Sequence, residues 1–300
     1  MALLKEIWVE QIQEVLYPSN LFTQYAIDFS SFCNYKTVHV PFNNTVPTIT
    51  INPTSYPINA VQRTDVDFTF TIDGYATNAF FVTDLEQAQI SYSKMNSVIY
   101  NTVQTLQKAM GDYTASKWAS TASSAITKTS GYAVTASAPG ATGSRSAITS
   151  TDLINLKAQM DNDNIPDDGQ RKLLLPVAMY YELLNDPFIK QAYSYGSAVL
   201  PDGTVKNIMG FDVMKRPTVC SITSGGSVNA LITGFSGGTA TDNLAGIAWH
   251  PQYTAIAKGA IDLFYQANHP LYQGDVMSAL ALFGGTSIRK DGLGVYLISQ

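Results

Sequence analysis

Between Thr83 and Tyr113 the apolar positions recur with helical spacing. Leu85, Tyr92, Ile99, Leu106 and Tyr113 fall every seven residues, and Ala88, Met95, Thr102 and Ala109 fill the intermediate positions. Side chains three and four apart share a face, so the spacing predicts one long amphipathic helix with a single buried stripe. Thr83 and Glu86 make a capping box at its start. Taken from Asp84 to Met110, the helix is about 40 Å long at 1.5 Å per residue. A coiled coil is disfavoured, because Thr102 lies in the stripe and the other face has few charges.

Upstream, Leu4, Ile7, Trp8, Ile12, Val15 and Leu16 give residues 3–17 an apolar side, and Pro18 ends that helix. Residues 19–36 are aromatic-rich without a self-contained core, so this arm packs on the long helix or reaches a partner. Lys36 to Val40 reads as strand. From Asp65 to Asp73, Val66, Phe68, Phe70 and Ile72 alternate with polar residues, the period of a half-buried strand. Pro41, Pro47, Pro53 and Pro57 lie between the two. Prolines keep to sheet edges and turns, so 37–73 is expected to be a two-armed β excursion reaching about 50–60 Å if extended. A hairpin of that length has no stability of its own in water. The residues expected to lie against another subunit are Ile49, Ile51, Tyr56, Ile58 and Arg63 of the excursion, with Trp8 and Phe22 of the arm. The plainer alternative folds the excursion back on its own domain.

Residues 114–150 turn small and polar and read as loop. Ser150-Thr151-Asp152 then caps a helix with Leu153, Leu156 and Met160 on one face. Lys172 to Leu175 is a buried strand, and Val177 to Leu184 a helix. Val205 to Val213 is a strand interrupted at Gly210. Residues 221–243 are again Gly/Ser/Thr-rich. Ile247-Ala248-Trp249 is strand, and a helix is expected from Pro251 onward. Val276 to Phe283 and Val295 to Ile298 close the chain as strands, with Asp291-Gly292 as turn.

Composition sharpens this. Charged residues make up 14% of the chain, against about 25% in a usual domain. So few charges fit a chain that covers much of its outside with neighbours. The net charge of −5 leaves no basic footprint for nucleic acid. Cys33 and Cys220 are too few for a disulfide framework. Glu6 and Glu10 break any signal-peptide run, and no membrane span or partnership is expected. His39, His250 and His269 share no metal-ligand spacing, so neither metal nor cofactor is expected. Asp161-Asn162-Asp163-Asn164 opens like a calcium loop, but Ile165, Pro166 and Lys172 occupy positions that need a ligand, Gly and Glu. A helix-ending turn is expected there. Gly234-Phe235-Ser236-Gly237-Gly238 fits a nucleophile elbow, with Asp262 and His269 downstream. The residues after Ser236, Thr239 to Asn243, make a poor helix start with no apolar stripe.

The order of parts says more than any motif. An amphipathic arm and a Pro-containing β excursion come first. Phe80-Phe81-Val82-Thr83-Asp84-Leu85 then leads into a long helix closing on Asp112, followed by a mixed domain and a closing strand pair. Ile165-Pro166, Gly169 and Arg171 precede the apolar strand Leu173-Leu174-Leu175-Pro176. Ile208 to Val213, Phe283-Gly284-Gly285 and Arg289-Lys290-Asp291-Gly292 complete the pattern. Together these resemble the major capsid protein of tailed bacteriophages, the Hong Kong ninety-seven fold. The resemblance implies an α+β chain with an N-terminal arm (1–36), an extended β loop (37–73) and a peripheral domain with a spine helix (74–119). An axial domain with Ser/Gly-rich insertions (120–245) comes next, and 246–300 returns to the axial and peripheral sheets. It implies hexamers and pentamers of this chain closing into an icosahedral shell around double-stranded DNA held without sequence-specific contact. A virion location, with host cytoplasm during assembly, goes with it, as do a portal and a separate scaffolding protein. No Lys lies between Lys36 and Lys94, so no covalent crosslink from the loop is expected. The rival readings are an encapsulin-like nanocompartment shell, a serine hydrolase at Ser236 and an adhesin-like module. The long helix and missing secretion signal speak against the last.

Overall fold

The computed structural model describes residues 19–34, 36–43, 48–52, 54, 56, 62, 65–85, 94–123, 125–195, 207–229, 238–289 and 291–300. The chain is α+β. Its centre is an eight-stranded mixed sheet whose spine is β5 (Lys172–Pro176), all five residues of which are buried. β5 pairs in parallel with β6 (Phe211–Arg216) and antiparallel with β8 (Asn243–Trp249). β8 also pairs with β7 (Cys220–Ile222) and with β11 (Val295–Ser299). Ile126–Lys128 runs parallel to β11.

Alternation along β5 divides the core. Leu173 and Leu175 face α2 (Ser150–Asn162) and α3 (Val177–Leu184), where Leu153, Leu156, Met160, Met179 and Leu183 are buried. Leu174 faces the other way, onto the long helix α1 (Lys94–Ser120), with Ala115, Trp118, Ala119 and Trp249. A strand buried on both faces has to read as an unbroken apolar run.

The second sheet is built on a hairpin of β9 (Thr254–His269) and β10 (Gly274–Ser287). β3 (Asp73–Ala76) and β4 (Phe80–Thr83) pair with β10, and Ile27–Asp28 pairs with the start of β9. Leu106, Ala279 and Ala281 pack the front half of α1 onto this sheet. A third sheet pairs β1 (Thr37–Asn43) with β2 (Asp65–Thr71).

Several expectations shift. Asp84 and Leu85 are helical as expected, and residues 86–93 lie outside the described residues. The helix does not close at Met110 or Asp112. It runs on to Ser120, because Thr114, Ala115, Trp118 and Ala119 form a second buried face against the central sheet. Leu85, placed in the buried stripe, is 70% exposed. The supposed loop 114–150 therefore begins as helix and continues as short strands, Ile126–Lys128, Ala133–Thr135 and Ser144–Ser146. α2 is capped one residue earlier than read: Thr149 is the N-cap and forms a capping box with Asp152. Met209 and Gly210 both have positive φ (51° and 85°) and make the tight turn between Asn207–Ile208 and β6. Both central residues of a type I′ hairpin need that conformation. No α-helix starts at Pro251. Pro251–Tyr253 is a single 3-10 turn, and the sixteen residues of β9 come directly after it. Their geometry is set by β10, a partner that local propensity does not register.

Candidate assembly surface

The excursion begins as a seven-pair ladder from Thr37↔Thr71 to Asn43↔Asp65. Its base is anchored: Val38, Val40, Phe70 and Ile72 pack with Ala255 and Ala257 of β9. Further out, large apolar side chains among the described residues stand exposed. Ile49, Ile51 and Tyr56 are 87%, 83% and 76% exposed. Large apolar side chains that gain nothing from their own subunit are candidates for contact with another. Ile58, Arg63 and Trp8, named with them from sequence, lie outside the described residues.

Phe22 is a correction. It is 2% exposed, with its ring edge-on to Trp118 (centroids 5.7 Å apart) and to Trp249 (6.4 Å). The arm packs into its own subunit here, as the alternative reading of the arm has it. Trp249 Nε1 donates to the Tyr25 carbonyl at 2.8 Å, and Phe29 N–H donates to the Ile256 carbonyl at 2.8 Å. Residues 20–30 are thus tied down along β8 and β9.

Sequence reasoning missed a second exposed apolar surface, the outer half of β9. Lys258 N–H donates to Ser30 Oγ at 2.9 Å, and beyond it no strand covers this edge among the described residues. Ile261, Leu263, Phe264 and Tyr265 are exposed there, so both faces of the strand carry apolar groups. A free, apolar edge strand invites pairing and is normally protected or covered. The hairpin end is firm. Asp275 accepts from Tyr265 Oη at 2.6 Å and from Asn268 N–H at 3.0 Å. The hydrogen bond from Tyr265 holds the Asp275 carboxyl below its ordinary range and raises the phenol. Phe81 stacks on Tyr272 at 4.8 Å. The signal for this surface was present in the β-branched and aromatic run Ile261 to Tyr265, but a proline-led helix start outweighed it.

The candidate chemistry is dispersed. Ser236 lies outside the described residues. Asp262 and His269 are on the same strand, seven residues or roughly 23 Å apart, too far to serve one nucleophile. His39 Nδ1 pairs with Asp67 at 2.6 Å on the excursion base, and buried His250 contacts Asp168 through Nε2 at 3.1 Å. Asp161 is bound to Arg171 at 2.6 Å and Asp163 accepts from Tyr296 at 2.7 Å. The carboxylates of the calcium-like stretch are thus spent on the helix end, where Asn164 has φ 56°. Among the described residues no three metal-ligating side chains gather, and no helix is long and apolar enough to cross a membrane.

No protein-family model and no curated protein sequence matches the chain. Solved structures do. The cyanophage Pam1 capsid is 13% identical with a TM-score of 0.70, covering 98% of this chain and 95% of that one. The capsid of Helicobacter pylori bacteriophage KHP30 is 10% identical with a TM-score of 0.69, covering 98% and 95%. The capsid of the cyanophage P-SCSP1u is 16% identical with a TM-score of 0.68, covering 99% and 92%. Across nearly its whole length, the chain has the fold of tailed-phage capsid proteins.

Proposed function

We propose that this chain is a major capsid subunit whose copies associate as hexamers and pentamers and close into the icosahedral head of a tailed phage, around packaged double-stranded DNA. The observation that carries the reading is the excursion. Its base is buried in its own subunit, while Ile49, Ile51 and Tyr56 stand mostly exposed. A capsid fold over nearly the whole chain supports it. So does the low charge, which suits a container that encloses DNA without reading it. The fold likeness speaks for a structural role and not an enzymatic one. The boundaries 1–36, 37–73, 74–119, 120–245 and 246–300 belong to the same reading, as do the virion location, a separate scaffold and a portal.

Negative-stain microscopy of the expressed chain tests it. Closed shells are expected. Ile51→Asp, at an 83% exposed site, is expected to leave the subunit folded and to abolish the shells. A stable monomer that never assembles overturns the reading. Particles loaded with enzyme and free of DNA transfer it to a nanocompartment. Denaturing gels of mature particles are expected to show single chains, without a covalent ladder.

A further inference from the structure

The outer half of β9 is a sheet edge with no partner strand among the described residues. Two irregularities in its register with β10 bracket a regular stretch from Ile261 to Gln266, which runs opposite Ala281 to Val276. Ile261, Leu263 and Tyr265 lie opposite Ala281, Ala279 and Met277, on the face that packs against α1. Asp262, Phe264 and Gln266 lie opposite Leu280, Ser278 and Val276, on the other face.

Edges of this kind are usually blunted with Lys, Pro or an inward-pointing charge. From Gly259 to Asn268 this one carries no Lys, no Pro and a single charge, Asp262. The strand is also complementary to itself. In an antiparallel pair related by a two-fold axis, residues at equal distances on either side of the axis stand opposite each other, and their side chains share a face. With the axis at Phe264, that ring meets its own counterpart, Leu263 meets the partner's Tyr265, and Asp262 meets the partner's Gln266. Apolar groups then face apolar groups on both sides of the sheet, and the carboxylate faces an amide donor. The Tyr265 hydroxyl is already spent on Asp275 within its own subunit, so Leu263 is offered only the ring. The neighbouring registers are worse. An axis at Leu263 sets Asp262 against Phe264, and one at Asp262 sets two carboxylates face to face. An axis at Tyr265 runs the ladder into the irregularity beyond Gln266.

We propose that β9 of one copy pairs antiparallel with β9 of a second copy about a two-fold axis at Phe264, joining the two hairpins into one continuous sheet. The contact is isologous, so a single strand supplies both of its sides. The ladder from Asp262 to Gln266 is about 17 Å long at roughly 3.4 Å per residue. A contact of this extent is weak by itself, and trapping it covalently is the way to see it. The pairing goes beyond the shell reading: it needs only two copies and gives the excursion no part.

Disulfide trapping of the full chain in a Cys33→Ser background tests this. Side chains directly opposite in an antiparallel pair have Cβ atoms about 5 Å apart, close enough for a disulfide to close with a small shift. Adjacent pairs alternate between the wider hydrogen-bonded and the closer non-hydrogen-bonded spacing. Phe264→Cys alone, and Leu263→Cys mixed with Tyr265→Cys, therefore sample both spacings. On oxidation at least one of the two should give a covalent dimer, with the bond located by mass spectrometry. Leu263→Cys alone and Tyr265→Cys alone should stay monomeric. Phe264→Lys sets like charges together at the axis and should abolish the mixed dimer. Unchanged emission from the buried Trp118 and Trp249 shows that the variants, all at exposed positions, are folded. Failure of both Phe264→Cys and the mixed pair to dimerise overturns the proposal. An equal yield from Leu263→Cys alone overturns the register. Coupling of Phe264→Cys to Ile51→Cys of a second chain would assign the edge to the excursion and overturn the self-pairing. Ile51→Asp, expected to abolish shells, should leave the trapped dimer in place, so failure here is distinguishable from failure of the shell reading.

Discussion

Arg216 and Asp112 form an ion pair in which each side chain is only 1% exposed. Asp112 Oδ1 also accepts from Thr218 Oγ1 at 3.2 Å. Arg216 Nη1 donates to the Thr218 carbonyl at 2.5 Å, and Arg216 Nε is buried without a partner. The pair joins the end of β6 to the middle of α1, so it couples the central sheet to the long helix. Arg216→Met leaves a carboxylate buried with one hydroxyl for company. Breaking such a pair from one side costs about 3–5 kcal/mol. Replacing both sides with apolar groups removes the buried charge, and the orphaned Nε that costs about 1–3 kcal/mol goes too. Against this stand the lost hydrogen bonds to Asn20 and the Thr218 carbonyl, about 1 kcal/mol each. Asp112→Leu with Arg216→Met is therefore expected within about 2 kcal/mol of the native chain and above Arg216→Met alone. Urea unfolding monitored by emission from Trp118 and Trp249 measures this, at one fixed chain concentration because assembly adds to apparent stability. A cost below about 1 kcal/mol for Arg216→Met refutes the reasoning. So does a double variant in which the two single costs simply add.

Three further outcomes are expected. Gly111→Ala should destabilise the native chain by evicting the Asn20 side chain packed against Gly111, yet stabilise an Asn20→Ala background by about 1 kcal/mol, the usual helix preference for Ala over Gly; equal signs in both backgrounds would refute that packing. The hydrogen bond from Arg289 lowers the Asp291 carboxyl below its ordinary 3.8. A carboxyl lowered by folding contributes stability that is complete above that value and fades as pH falls through the folded value. Asp291→Asn should therefore flatten the loss of urea midpoint below about pH 4, and an unchanged acid slope would contradict it. Burial pushes the Cys220 thiol up to about 12, so alkylation at pH 8 in a Cys33→Ser background should wait for global unfolding. Rapid labelling of the native protein, read by mass spectrometry, would show the site to be open.

Elements whose pattern is local were legible from residues alone. Lys172 to Leu175 had to be a doubly buried strand because Leu173, Leu174 and Leu175 put apolar groups on both faces. Leu153, Leu156 and Met160 fixed the buried side of α2 by spacing, and Val177 to Leu184 matched its helix residue for residue. The alternation from Val66 to Ile72 announced the excursion's second arm, and it pairs with the first as expected. The exposed excursion tip was readable too, since Ile49, Ile51 and Tyr56 are apolar in a stretch with no core of its own.

The tertiary structure was needed for whatever depends on a partner distant in the chain. The same arm holds both Phe22, which fills the space between Trp118 and Trp249, and surface-facing aromatics such as Phe32, and composition cannot separate them. α1 continues past Gly111 because Asn20 occupies the space a side chain would take, and because the central sheet buries Trp118. Residues 254–269 are strand because β10 lies beside them, overriding a proline-led start that locally favours helix. Periodicity reports how a segment meets water, an average over its two faces. Which particular surface it meets is set by contacts whose free energy exists only once the chain has folded.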